Sequence, residues 1–236
     1  MDYEEFLYIS NKINKRGESY IELDLHIHSN YSFDSFSKVS DILKIAKKKR
    51  LGAIAITDHN TIEGSLKAFK ITSDPMVICA CEIGTEIGDI IGLFLNEEIK
   101  SRKSLEVIDE IKGQGGIAVL AHPYKRKEYV DKTLFRKIDA IEVFNSRAGA
   151  TNVNAKRIAL NNNLMMTAGS DAHFCFEIGR GKLIINDCSN IEDIRKSIVS
   201  KNVEINGVLS SKYLDVLNRY VRRFKSKKNK LLNFLK

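Results

Sequence analysis

The run IELDLHIHS, residues 21–29, decides how this chain reads. Side chains along a strand alternate between faces. Leu23, Leu25 and Ile27 are therefore expected on one face, and Asp24, His26 and His28 on the other. The apolar face can pack on helices while the polar face points inward. The predicted strand, 21–26, runs out into an H-x-H pair at its C-terminal end.

Four more predicted strands end in the same residue types. The strand over 53–57 is followed by Asp58-His59, that over 76–81 by Glu82, and that over 117–121 by His122. The strand over 165–168 leads through Gly169-Ser170 to Asp171 and His173. All five histidines of the chain fall in this set. Strands are also predicted over 89–95, 139–144 and 182–185, and helices over 39–49, 62–70, 103–112, 152–160, 191–199 and 213–224, with a short helix near 132–137. Apolar strands alternating with helices indicate parallel strands covered by helices. About seven such units fit a small α/β barrel, whose strand ends converge on one mouth; a doubly wound open sheet is the alternative. Residues 1–20 read as an N-terminal helix or arm, 21–211 as the barrel, and 212–236 as a basic amphipathic tail.

Composition supports a folded domain. The chain has 236 residues, 43% hydrophobic and 29% charged, with 2 Pro and no Trp. That excludes a disordered, collagen-like or disulfide-stapled chain. No run approaches the roughly 18 apolar residues of a membrane span. Met1-Asp2-Tyr3-Glu4-Glu5 is acidic and has no apolar signal region, so a cytoplasmic location is expected. Cys79, Cys81, Cys175 and Cys188 form no C-x-x-C pair and are expected as reduced thiols. The net charge of +8 resides in the tail, where residues 212–236 carry nine Lys or Arg against Asp215 alone. The body is neutral, so its composition does not point to a nucleic-acid groove.

The strand-end chemistry is imidazole plus carboxylate. Cys79 and Cys81 have the opposite parity to Glu82 and should point away from it. Such a donor set suits Zn²⁺, Mn²⁺ or Fe²⁺ better than Mg²⁺ or Ca²⁺, which favour all-oxygen shells. Five histidines and at least two carboxylates exceed the needs of one four-coordinate ion. Two or three ions sharing a carboxylate are therefore expected, an arrangement suited to phosphoryl or acyl transfer.

Taken together, DLHIHSNYSFDS at 24–35, AITDHNT at 55–61, CEIGTEIGDIIGLF at 81–94, AHP at 121–123 and GSDAH at 169–173 resemble the PHP (polymerase and histidinol phosphatase) superfamily of metal-dependent phosphoesterases. The resemblance implies a distorted (β/α)7 barrel with a trinuclear site. By it, His26, His28, Glu82 and Asp171 would hold one ion. Glu82 would bridge to a second, shared with His122. Asp34, His59 and His173 would hold a third. Asp58 would orient the neighbouring imidazoles. Asp89 stands where many members carry a histidine ligand, and it would serve the second ion in that residue's place.

The implied reaction is hydrolysis of a phosphate ester by metal-activated water. The substrate would be a small phosphomonoester, a nucleotide phosphate or an oligonucleotide end. Lys125, Arg126, Arg147 and Arg180 are candidate phosphate contacts, with Arg147 and Arg180 preferred because they follow polar strand ends. A metal-dependent amidohydrolase or deacetylase, and a non-catalytic metal-stabilised accessory module in nucleic-acid processing, are the competing classes. In the tail, Tyr213, Leu214, Leu217, Val221 and Phe224 share one helical face, with Arg219, Arg222, Arg223, Lys225, Lys227 and Lys228 supplying charge. That helix is expected to dock by its apolar stripe. A nucleic-acid backbone is the next candidate partner for it, and an anionic membrane surface the last. The oligomeric state is left open.

Overall fold

The computed structural model describes residues 12–13, 19–125, 132–186 and 188–234. Its strands are β1 (Lys12–Ile13), β2 (Ser19–Ile27), β3 (Ala53–Ile56), β4 (Met76–Thr85), β5 (Gly88–Leu93), β6 (Ile117–Leu120), β7 (Ala140–Asn145), β8 (Met165–Gly169), β9 (Gly181–Asn186) and β10 (Glu204–Gly207). Its helices are α1 (Val39–Lys48), α2 (Glu63–Phe69), α3 (Ser104–Gly113), α4 (Thr151–Asn161), α5 (Ile191–Val199) and α6 (Tyr213–Phe234). One sheet runs in the order β10-β9-β2-β3-β4-β5-β6-β7-β8, with β1 on β2. It curls until β8 meets β2. Across that seam the His28 amide donates to the Ala172 carbonyl at 2.8 Å, and the Ala172 amide to that of His26 at 3.3 Å. The result is a nearly closed α/β barrel in a single domain.

The strands are not uniformly parallel. β2, β3 and β4 are parallel neighbours, as are β6, β7 and β8, but β5 is antiparallel to both β4 and β6. Only Glu86 and Ile87 join β4 to β5, a hairpin connection far too short for a crossover helix. β9 and β10 continue the sheet beyond β2 as antiparallel strands. Of the expected N-terminal arm, Lys12 and Ile13 form β1; nearly all of the rest lies outside the described residues.

Apolar side chains fill two sides of the sheet. Leu23, Leu25, Ala55, Ile78, Leu93, Val119 and Ala168 pack as one buried cluster. On α1, Val39, Ile42, Leu43 and Ala46 recur at helical spacing and bury against Ile27, Ile54 and Ile56 in another. Leu23 and Leu25 thus do not share a face with Ile27, contrary to simple alternation. β2 pairs Asp24 with Ile54 but Ile27 with Ile56, so it carries one extra residue between those points. A bulge of this kind re-aims side chains and is common beside functional sites.

Among the described residues, no helix is long and apolar enough to cross a membrane.

Candidate metal centre

The bulge in β2 separates Asp24 from the two histidines that follow it. Asp24 accepts from the Ser170 amide (2.9 Å), the Ser170 hydroxyl (2.5 Å) and the Gly179 amide (2.7 Å). It pins the 170–179 segment and takes no part in the imidazole cluster. β7 has a matching irregularity, since it pairs Glu142 with Thr167 but Phe144 with Ala168. These two irregular strands deliver His26 and Glu142 to each other, with His26 Nδ1 2.9 Å from Glu142 Oε1. Gly169 makes the approach feasible, because a Cβ there would lie 2.3 Å from the His26 Cβ.

The nine residues expected as metal ligands are all buried and gather at this end of the barrel. His26 Nε2 lies 3.2 Å from His28 Nε2. Glu82 Oε2 is 3.6 and 3.4 Å from those two nitrogens, and Asp171 Oδ1 is also 3.6 and 3.4 Å from them. Bonds of about 2.0–2.2 Å from nitrogen and oxygen donors to one ion place neighbouring donors roughly 3–3.5 Å apart. The donor spacing therefore fits a divalent cation. A second group comprises His28, Asp34, His59 and His173. Asp34 Oδ2 stands 3.1 Å from both His59 Nε2 and His173 Nε2. A third joins Glu82, Asp89 and His122. Here Glu82 Oε1 is 2.9 Å from His122 Nε2, but Asp89 Oδ2 is 3.9 Å from it. Glu82 is common to the first and third groups, and its other neighbour is His59 Nδ1 at 3.1 Å from Oε2. Two of these residues hold left-handed backbone, His122 with φ 26° and Asp171 with φ 53°. Aspartate tolerates that region better than histidine, and strain of this kind concentrates at functional sites.

Protonation states follow from the crowding. Burial opposes ionisation of Glu82, but the imidazoles of His59 and His26 hold its pKa well below the usual carboxylate range. Burial likewise opposes Asp171, which Lys125 and His26 keep low. Asp34 is held low against burial by hydrogen bonds from His173 and His59. His28 is driven down to about 3 by burial and by repulsion from His173. His26 moves the other way: burial would lower it, yet Glu142, Asp171 and Glu82 raise it well above its ordinary value. Glu82, Asp171, Asp34 and His28 are thus ready for a cation at neutral pH, whereas His26, and His59, which Glu82 and Asp34 raise against burial, must release a proton to bind one.

Asp58, expected to orient the imidazoles, and Arg147 and Arg180, expected as phosphate contacts, are placed differently. Among the described residues, no imidazole lies within ion-pair range of Asp58. Its oxygens accept from the Ser29 amide (2.6 Å) and hydroxyl (2.5 Å), so it anchors the loop after β2. Arg147 lines the cavity, but Glu177 grips its Nε and Nη2 at 2.9 and 2.5 Å, and Asp215 lies 3.4 Å from Nη1. Arg180 does not line the cavity; its Nη2 donates to the Leu209 carbonyl at 3.0 Å. Lys125 does reach the site, with Nζ 2.5 Å from Asp171 Oδ2. Arg126 lies outside the described residues.

Other residues at the site escaped the sequence reading. Glu142 contacts His26 and also accepts from the His122 amide (2.8 Å) and the Asn145 side chain (2.9 Å). An acid flanked by Ile141 and Val143 in a buried strand was the available signal. Glu177 was missed as well; besides Arg147 it takes the His173 and Phe174 amides at 3.2 Å each. α6 docks only in part by its expected apolar stripe, with Leu214 and Val221 half-buried. Tyr213 is 84% and Phe224 63% exposed, with Leu217 exposed beside them, whereas Asp215, Asn218, Arg219 and Arg222 line the cavity.

A family model for the PHP domain matches residues 24–162, and one for a PHP-associated region matches 149–203. The chain belongs to the PHP domain family. An uncharacterized protein of Methanocaldococcus jannaschii is 42% identical over 158 residues, covering 60% of this chain and 90% of that one. A second from the same archaeon is 33% identical over 184 residues, covering 73% of each. Among solved structures, a two-domain Bacteroides vulgatus protein containing a predicted PHP-like metal-dependent phosphoesterase superposes with a TM-score of 0.70 at 18% identity, covering 88% of this chain and 70% of that one. The lesion-specific endonuclease EndoQ of Pyrococcus furiosus gives 0.58 at 19% identity over 79% of this chain and 57% of its own. An amidohydrolase of Chromobacterium violaceum gives 0.58 at 14% identity over 77% and 97%. At these identities the structural likenesses concern the fold.

Proposed function

We propose that this chain hydrolyses a phosphate ester of a small molecule, a nucleotide or an oligonucleotide end, using two or three divalent cations. His26, His28, Glu82 and Asp171 would hold one ion. Glu82, His122 and Asp89 would hold a second, and Asp34, His59 and His173 a third. The observation that carries this reading is the convergence of His26, His28, Glu82 and Asp171 at donor separations of 3.2–3.6 Å. Imidazole with carboxylate favours zinc, manganese or ferrous iron.

Bound cations supply a lowered water pKa and neutralise charge on the phosphoryl oxygens. The side chains do the rest. Glu142 holds the His26 ring by its Nδ1, which leaves Nε2 directed into the cluster. Lys125 and the Asn145 amide hold Asp171 Oδ2, at 2.5 and 3.3 Å. In the reaction, a water oxygen bonds to phosphorus as the ester P–O bond breaks. The electron pair of that bond leaves with the alkoxide, which takes up the proton released by water. No serine or cysteine nucleophile is required.

Elemental analysis of gently purified protein, followed by a phosphate-release screen with the metal found, tests the proposal. Two or more ions per chain and phosphate release are expected. Fewer than two ions at saturation, or activity confined to acyl amides, would overturn it.

A further inference from the structure

α6 lies beyond both segments that match the family models, which end at 162 and 203. It nevertheless forms one wall of the cavity over the donor cluster. Asp215, Asn218, Arg222 and Lys225 recur at three- and four-residue steps and so form one stripe of the helix. The first three line the cavity. Lys225 Nζ caps the 29–37 loop through the carbonyls of Asn30 (2.9 Å), Ser32 (2.5 Å) and Ser35 (2.8 Å). The helix therefore turns a mixed face to the barrel, with Asn218 buried and Leu214 and Val221 half-buried, and leaves Tyr213, Leu217, Tyr220 and Phe224 exposed. A surface helix ordinarily buries its apolar stripe. The polar and charged side chains that α6 places along the cavity point to a polar task at the mouth.

The cations around the cavity divide into two sets. Arg147 is tied to Glu177, and Lys125 to Asp171. Among the described residues, no carboxylate lies within salt-bridge range of Arg219 or Arg222. Arg222 is instead oriented by stacking: its guanidinium carbon sits 4.9 Å from the Phe33 ring centre. Phe33 in turn stacks on His59 at 4.4 Å and 12°. A continuous stack thus runs from a candidate ligand to the helix and fixes the guanidinium beside the cluster. The cavity measures about 190 Å³, smaller than the roughly 300 Å³ at the low end of small-molecule sites. That cleft opens to solvent, so its enclosed part takes a phosphate group while the attachment reaches outward.

We infer that Arg219 and Arg222 of α6 form the phosphate clamp of this enzyme, binding the non-ester oxygens of a terminal phosphomonoester and making the C-terminal helix the element that selects substrate. The inference rests on the phosphoesterase reading above. Arginine is suited to this work because its fork meets two oxygens at once.

Calorimetric titration of inorganic phosphate into metal-loaded protein tests it, with metal content and melting temperature measured on every sample. The Arg219→Ala/Arg222→Ala variant should keep its metal and its fold and bind phosphate about 10- to 100-fold more weakly. The Arg219→Lys/Arg222→Lys variant should recover part of the loss. Should the double alanine variant fail to fold, each single alanine variant should still lose about 5- to 10-fold. Unchanged affinity in the variants would overturn the clamp while leaving the phosphoesterase reading intact. A fully metal-loaded wild type that binds no phosphate would overturn both. Wild-type preference for bis(p-nitrophenyl) phosphate over p-nitrophenyl phosphate would overturn the assignment to a terminal phosphate.

Discussion

The two flanks of the donor cluster are built to different tolerances. Toward β2 and β8, Glu82 and Asp171 each stand 3.4–3.6 Å from the His26 and His28 nitrogens, themselves 3.2 Å apart, and Glu142 and Lys125 hold His26 and Asp171 from behind. Toward β5, Asp89 comes only within 3.9 Å of His122. The tight flank sits where two irregular parallel strands are drawn together by a glycine. The loose flank sits on the one reversed strand of the barrel, where a short aspartate must reach across. Preorganised donors bind a cation without reordering, so the tight flank should hold its ion more firmly than the loose one.

The largest effect is expected at the residue common to both flanks. Glu82→Ala should abolish measurable phosphate release and lower bound metal by at least one ion per chain, as read by elemental analysis. That exceeds the 10- to 100-fold typical of residues that only support ligands. Glu142→Gln belongs to that second category: metal affinity should fall about 10- to 100-fold in a chelator competition, with the melting temperature of the metal-free protein little changed. If Glu142→Gln matched Glu82→Ala, Glu142 would be a ligand itself.

Acid should weaken the tight flank. The raised pKa of His26 means that it carries a proton which a cation must displace. Metal binding therefore releases a proton and strengthens as pH rises. Between pH 6 and pH 8 the affinity should grow by up to about tenfold per pH unit for that proton. Competition titrations at the two values check the sign, and affinity that falls with rising pH would refute it. The smallest effect is expected at the loose flank. Asp89→Ala should remove the more weakly held ion and slow phosphate release about tenfold or less, while Asp89→His should retain that ion. If Asp89→Ala instead lost the tightest ion, the ranking of the flanks would be reversed.

Much of the site was legible because it obeys a local rule. His26, His28, His59, His122, Asp171 and His173 each end a strand or closely follow one, and barrel strand ends converge; Glu82 lies inside β4, and was found only because the apolar run 76–81 stops just before it. What was hidden depends on register. Asp24 has the same parity as His26, yet one extra residue in β2 sends it to Ser170 and Gly179. Alternation cannot foresee a bulge that exists only relative to the neighbouring strand. Glu142 was overlooked because it lies inside a strand instead of at its end. The reversal of β5 was readable in the spacing: strands expected over 76–81 and 89–95 leave seven residues between them, too few for a crossover, and β4 in fact runs to Thr85. In α6, periodicity put five apolar residues on one face, but only Leu214 and Val221 are half-buried while Tyr213, Leu217 and Phe224 stay exposed. A cavity lined with charge outweighed the usual preference for burying Leu217 and Phe224.

The central claim is that side chains from separate strands form one shared cation site. X-ray anomalous scattering from crystals grown with manganese or zinc tests it most directly. The account predicts a strong peak within bonding distance of His26, His28, Glu82 and Asp171, with at least one further peak beside Glu82. Peaks confined to the protein surface, or a cluster that stays empty at saturating metal, would contradict it.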